Sequence, residues 1–238
     1  MPLMDSFEYQ RMDAVEARLW WYRGLHARLV EALADVRGSV LDAGCGTGGF
    51  LNFLSATRPD FSVAGCEWDF LAACLARAKG VTVTVGSVHA LPFEDGHFDA
   101  VVSADVLCHE GVEPGPALGE MRRVLRPGGV LVVNMPAYMW LFSEHDRRVK
   151  NVRRVSAGEM RGMLAAAGFA KNSVRYWNFF LLPLMILRRK ILAAHAGADS
   201  DVAPINGMLN SVFLGLLRFE RGLRFPAGGS VMAVAVRG

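Results

Sequence analysis

The stretch Val40-Leu41-Asp42-Ala43-Gly44-Cys45-Gly46-Thr47-Gly48-Gly49-Phe50 decides the fold. A short apolar run leads into glycines, and GFLNFLSAT (49–57) follows with helical length and period, giving strand, glycine loop and helix in order. The loop satisfies G-x-G-x-x-G through Gly44, Gly46 and Gly49. Glu67 closes the next apolar run, 25 residues beyond Asp42, so the unit has the spacing of a mononucleotide-binding βαβ in the Rossmann sense. The pattern is weak alone, because a glycine turn that merely lets a helix pack against a strand has the same letters.

Outward from this unit the alternation repeats. FSVAGCE (61–67) reads as a strand, FLAACLARAKG (70–80) as a helix ending at Gly80, and VTVTV (81–85) and HFDAVVSA (97–104) as strands. ALGEMRRVLRPGG (117–129) reads as a helix closing on Pro127 and Gly128, and VLVVNMP (130–136) as a strand. Such alternation indicates parallel βαβ units with helices on both faces of the sheet. Upstream, Val15, Leu19, Tyr22, Leu25, Leu29 and Leu33 recur at helical spacing, predicting one helix over 13–36 that Gly38 stops. Downstream, Ser156 and Glu159 form a capping box for a helix ending at Gly168. There follow a strand near 174–177, an apolar helix to about His195, a flexible stretch to Ile205, a helix over 208–223 and a last strand, SVMAVAV (230–236). The expectation is one domain over 1–238, with 1–38 a helical cap and with 136–155 and 178–225 as substrate-lid or interface segments.

Composition narrows the class. A hydrophobic share of 52% against 21% charged residues supports a packed core and excludes a disordered chain. The net charge of +3, from 26 Lys+Arg against 23 Asp+Glu, is too near balance for wholesale neutralisation of a phosphate backbone, so no nucleic-acid partner is expected. Cys45, Cys66, Cys74 and Cys108 show no C-x-x-C pairing and lie in apolar runs, as for reduced thiols in the cytoplasm, and no metal site is expected. The N-terminus lacks the pattern of a secretory signal. The apolar run over 177–187 contains Pro183 and is far shorter than the roughly 20 residues that span a bilayer.

Charge discriminates between ligands for the glycine loop. A dinucleotide such as NAD places a pyrophosphate there, which Asp42, two residues before the first glycine, would repel. S-adenosylmethionine (SAM) carries no phosphate and presents an ammonium beside a sulfonium, which the same carboxylate would attract. Glu67 suits either ligand, since both have a ribose diol.

LDAGCGTG, GCE, ALPFEDGHFDAVVSADVL and MRRVLRPGGVLVV, in that order over 40–134, resemble the sequential motifs of class I SAM-dependent methyltransferases, in particular the group containing the ubiquinone and menaquinone biosynthesis methyltransferases. The resemblance implies a Rossmann-like, doubly wound, seven-stranded α/β sheet of order 3-2-1-4-5-7-6 with the last strand antiparallel. It implies SAM as cofactor: Gly44, Cys45, Gly46 and Gly48 under the methionyl part, Asp42 near its amino group, Glu67 on the ribose hydroxyls, and Ser87-Val88 against the adenine. Ser87 departs from the family's usual Asp, which removes charge assistance to the adenine amino group. Trp68 is a candidate to stack on the adenine or an ordinary rim aromatic, and Asp105 and Arg23 complete the candidate cofactor set. A NAD-binding oxidoreductase, or a non-catalytic protein on the same fold, remains the alternative.

Methyl transfer from a sulfonium needs orientation and water exclusion, with a base only for a poorly acidic acceptor. The candidates at strand ends are His109, Tyr138, His145 and Asp146, with a structural histidine as the competing reading of His109. The run 147–154 is the most basic in the chain; it is either a solvated surface or a seat for an anionic acceptor. Trp20, Trp21 and Tyr22 cannot all face one core, so at least one points to a pocket or solvent. WNFFLLPLMILRRK (177–190) suits a buried outer-layer helix, a dimer surface or a lipid interface. The expectation is a cytoplasmic enzyme, with peripheral membrane contact and a homodimer open to it, acting by O- or C-methylation on a small-molecule or lipid-like acceptor.

Overall fold

The computed structural model describes residues 6–190 and 206–238. Two helices, α1 (Ser6–Val15) and α2 (Trp20–Ala32), precede β1 (Gly38–Ala43), α3 (Gly49–Thr57), β2 (Phe61–Glu67), α4 (Phe70–Ala78), β3 (Val83–Val85) and β4 (Phe98–Ala104). Then come α5 (Pro114–Val124), β5 (Leu125–Pro136), the short α6 (Glu144–Arg148), α7 (Ala157–Ala166), β6 (Lys171–Trp177), α8 (Leu182–Lys190), α9 (Gly207–Phe219) and β7 (Ser230–Val236). The seven strands form one sheet of order β3-β2-β1-β4-β5-β7-β6, in which β7 runs antiparallel to both β5 and β6 while the other pairs are parallel. The expected order and the antiparallel last strand are both present.

The apolar strands are continuous rather than alternating because both faces are covered. Leu41, Val101, Leu131 and Val133 pack on α5 and α7 through Leu118, Met121, Met160 and Leu164. Their neighbours Val40, Ala100, Val102 and Val132 point the other way, onto Leu25, Leu29, Phe50, Leu54 and Leu217 of α2, α3 and α9. The two-residue period of a strand thus divides one apolar run between two cores.

Three sequence expectations are corrected. The single helix over 13–36 is two helices: Leu19 is extended (φ −69°, ψ 132°), and Glu16 in the break is buried with its carboxylate on the Thr47 hydroxyl and the Lys79 ammonium. The helix expected to close on Pro127 and Gly128 ends at Val124. Arg126 precedes a proline, which disfavours helical backbone, and Leu125 already pairs with Phe98. The next pair is Ala100 with Val130, so 126–129 loop out of β5. The strand expected near 174–177 does end at Trp177; what differs is the helix read in the apolar run 177–190, which begins only at Leu182, after Asn178 at φ 60° turns the chain. The expected continuation to His195 and the stretch to Ile205 lie outside the described residues.

One buried carboxylate ties these C-terminal elements together. Glu220, 1% exposed just after α9, accepts from the Asn178 N–H at 2.6 Å, the Phe179 N–H at 2.9 Å and Arg28 Nη2 at 3.0 Å. It closes the β6–α8 turn and joins α9 to α2. Glu220→Ala strands a buried guanidinium and two N–H groups and is expected to cost about 3–5 kcal/mol, read from the denaturant midpoint at unchanged m-value. A midpoint equal to the parent's would mean that water replaces the carboxylate there.

Candidate active site

The carboxyl ends of β1, β2 and β4 open into a cavity of about 720 Å³, within the roughly 300–1,000 Å³ of small-molecule sites. Its floor is the glycine loop. Gly44 sits at φ +87°, and a Cβ there would come within 2.4 Å of Val106 Cγ2. Gly48, at φ +80°, faces away from the cavity, where a Cβ would meet that of Ala76 at 2.7 Å. The first glycine keeps the loop open at the strand end, and Gly48 lets α3 lie close to α4.

Glu67 braces this loop from the end of β2. One carboxylate oxygen accepts the Gly46 N–H at 2.8 Å and the other the Asp69 N–H at 2.9 Å. Asp42 lies beside it, 4% exposed. Burial, then the negative charges of Glu67 and Glu16, push the Asp42 carboxyl up to about 8. Every charge that bears on Asp42 is negative, and burial raises Glu67 and Glu16 as well. Such a pocket opposes a pyrophosphate and fits a ligand carrying an ammonium and a sulfonium. The residues present therefore suit SAM, whose cationic end the resemblance sets beside Asp42 and whose ribose it sets beside Glu67.

Of the sequence-derived cofactor set, Asp42, Gly44, Cys45, Gly46, Glu67, Trp68, Ser87, Val88 and Asp105 line the cavity. Trp68 stands half exposed at the rim, and the Ser87 hydroxyl accepts the His89 N–H at 3.1 Å. Gly48 packs behind the loop, and Arg23 is exposed on α2 outside the cavity; neither borders the ligand space. Trp20, Trp21 and Tyr22 all border it. The sequence reading, which asked that of at least one, had no means to place β6, whose Trp177 stacks on Trp21 at 4.9 Å.

Asp105 follows β4 at φ 55°, a strained backbone of the kind that gathers at functional sites. Asn134 Nδ2 donates to its carboxylate at 2.9 Å, and Trp177 Nε1 donates to Asn134 Oδ1 at 2.8 Å, so a buried polar thread from β6 through β5 fixes its orientation. Burial raises the Asp105 carboxyl to about 7, against the pull of Asn134 and Arg154. Asn134 was legible only as a polar residue in an apolar strand, and Glu16 gave no sequence signal of a place in this wall.

His109 and His145 both border the cavity. His109 Nδ1 is buried without a hydrogen-bond partner, and the nearby Val149 and Lys150 backbone favours the charged form of the ring. Burial outweighs that backbone and lowers its pKa, so the ring is neutral at pH 7. The other two catalytic candidates are corrected by the geometry. Asp146 is fully buried away from the cavity, held by Arg154 Nε at 2.9 Å, Arg189 Nη1 at 3.0 Å and the Ser143 N–H at 2.9 Å; it builds the wall. Tyr138 leaves the end of β5 in the other direction and stacks between Tyr176 (5.2 Å) and Trp140 (5.6 Å). In the basic run, Arg147 pairs with Glu144, and Arg153 Nη1 donates to the Leu107 and Val112 carbonyls; Lys150 and Arg154 reach the cavity.

Comparison with known proteins agrees with this geometry. A methyltransferase-domain family model matches residues 41–133. The malonyl-[acyl-carrier protein] O-methyltransferase of Herminiimonas arsenicoxydans is 33% identical over 181 residues, covering 71% of this chain and 69% of that protein. The "Probable tRNA methyltransferase 9B" of Mus musculus is 36% identical over 111 residues, 46% of this chain and 23% of that one. The chain spans less than a third of the length of the first curated relatives that it matches. Among solved structures, a Thermotoga maritima SAM-dependent methyltransferase described as a possible histamine N-methyltransferase superposes with a TM-score of 0.64 at 22% identity, over 97% of this chain and 95% of that one. With the seven-stranded order, the glycine loop and an acidic pocket that suits a sulfonium, these matches make the chain a member of the class I SAM-dependent methyltransferases.

Proposed function

We propose that the protein methylates an oxygen or carbon of a small or lipid-like molecule, with His109 taking the acceptor's proton. The observation that carries this is the buried, unpartnered Nδ1 of His109 on the cavity wall. In the neutral ring, the tautomer protonated on Nε2 leaves Nδ1 as a lone-pair acceptor within the site.

SAM supplies an activated methyl group whose transfer is an in-line displacement that discharges the sulfonium. The chain's own residues do the rest. Asp42 and Glu67 orient the donor at one end, and Tyr22, Asp105 and His109 bound the space where the acceptor approaches. Trp20, Trp21 and Phe213, with rings 5.4–5.9 Å apart, exclude water from the apolar side. The segment 136–155 and the described parts of 178–225 wall the acceptor half, which supports the role in substrate binding read for them. A concave cavity of this volume with a largely apolar lining supports a small molecule over tRNA. No helix among the described residues is long and apolar enough to cross a membrane. The four free cysteines fit the reducing cytoplasm, where we place the enzyme.

Labelled methyl groups from SAM are expected to enter the small-molecule or lipid fraction of a cell extract; label confined to tRNA overturns the acceptor class. In calorimetry SAM binds and NADH does not, and tighter NADH binding would refute the charge argument. Because a bound cation favours ionised Asp42, whose carboxyl stands at about 8, SAM binding near pH 7 releases a proton, read from the buffer dependence of the heat. Asp42→Asn abolishes that release.

His109→Gln is expected to lower kcat by about 10²–10⁴-fold at unchanged SAM affinity if the proton is removed at Nδ1. The lowered pKa keeps the ring neutral until the pH falls below its ordinary value of about 6.5, so the acid limb of kcat lies below that point and vanishes in the variant. An unchanged kcat or acid limb assigns His109 a structural role.

A further inference from the structure

The charges around the cavity are segregated. Among the described lining residues, Glu8, Glu16, Asp42 and Glu67 stand on the side of the glycine loop and the cap helices, Lys150, Arg154, Arg188 and Arg189 on the side of α6 and α8, and Asp105 and Glu110 are further acidic residues of the wall. The guanidiniums of Arg154 and Arg189 both bond buried Asp146, which fixes their positions on the cavity wall.

The run that ends in α8 adds direction to this charge. Leu181, Leu184, Met185, Arg188 and Arg189 border the cavity at spacings i, i+3, i+4, i+7 and i+8, which is one face of a helix. Along that face, about 12 Å from first to last residue, the wall is apolar and then becomes cationic. Phe213 and Trp20 complete the apolar portion, and Lys150 and Arg154 stand with the cationic portion. A ligand lying along α8 meets hydrocarbon first and then guanidinium groups, whose planar donors match the oxygens of a phosphate or carboxylate.

On the reading of the site as a methyl-acceptor pocket, we propose that the acceptor is an anionic amphiphile, an apolar chain ending in a phosphate or carboxylate that seats against Arg188, Arg189, Arg154 and Lys150. The apolar body lies along Leu181, Leu184 and Met185, and the atom to be methylated lies toward Asp105 and His109. A neutral hydrocarbon alcohol satisfies only half of this wall. A compact inorganic anion satisfies only the other half.

Isothermal titration of the full chain loaded with S-adenosylhomocysteine tests this with octyl phosphate, octanoate, octanol and inorganic phosphate. Octyl phosphate or octanoate is expected to bind at least about tenfold tighter than octanol and than inorganic phosphate, the least that a charge-assisted contact contributes. Arg188→Gln removes most of that preference and leaves octanol and S-adenosylhomocysteine binding as they were. Leu184→Asn weakens octanol and the octyl anion together. Equal affinities for octanol and both octyl anions, or a preference untouched by Arg188→Gln, overturn the proposal. The titrations are repeated without S-adenosylhomocysteine: failure of that ligand to bind would count against the cofactor site, whereas the octyl series still reads the head-group seat.

Discussion

Three carboxylates converge where β1 and β2 end, and much of the surrounding structure is arranged around their mutual repulsion. Glu67 is held by two backbone N–H groups, one of them from the glycine loop, so the loop cannot open without releasing a buried charge. Glu16 reaches the cluster because the N-terminal helix breaks before Leu19, and Lys79 at the end of α4 meets it together with Asp13. Asp42 has no such partner among the described residues, and burial, followed by the charges of Glu67 and Glu16, raises its carboxyl. The glycine loop, the broken cap helix and the end of α4 are held together by the partial compensation of these charges, and the portion left over is what a cationic cofactor neutralises.

The acceptor side is organised by a different device. Trp177 joins two sets of contacts: its ring lies between Trp21 of the cap and the Arg28 guanidinium, 5.0 Å from the ring centre, while its N–H extends through Asn134 to Asp105. Packing of the cap and orientation of a carboxylate in the cavity therefore depend on one side chain of β6. Glu220 anchors the turn that follows.

Legibility from the sequence followed the range of the interactions. Strand, glycine loop and helix over 40–57 are set by neighbours in sequence, and β1, α3 and β2 fall where the apolar period and glycines put them. The capping box at Ser156 and Glu159 is likewise local and is present. The break at Leu19 was hidden because helical period continues through it; what breaks the helix is burial of Glu16 against Thr47, 31 residues away. Asp146 resembled a strand-end catalytic acid, and only the approach of Arg154 and of Arg189 from α8 shows it to be a buried counter-ion. Tyr138 was misplaced for a similar reason, since its direction depends on a stack with β6.

The uncompensated negative charge around Asp42 also bears on turnover. Methyl transfer discharges the sulfonium, so the demethylated product brings one positive charge fewer to the same three carboxylates than the cofactor that replaces it. On the proposed seating of SAM beside Asp42, the electrostatic hold on the product is weaker than on the donor, and protonation of Asp42, whose carboxyl burial raises, offsets the charge when the site empties. On that seating, the buried charge itself assists departure of the product.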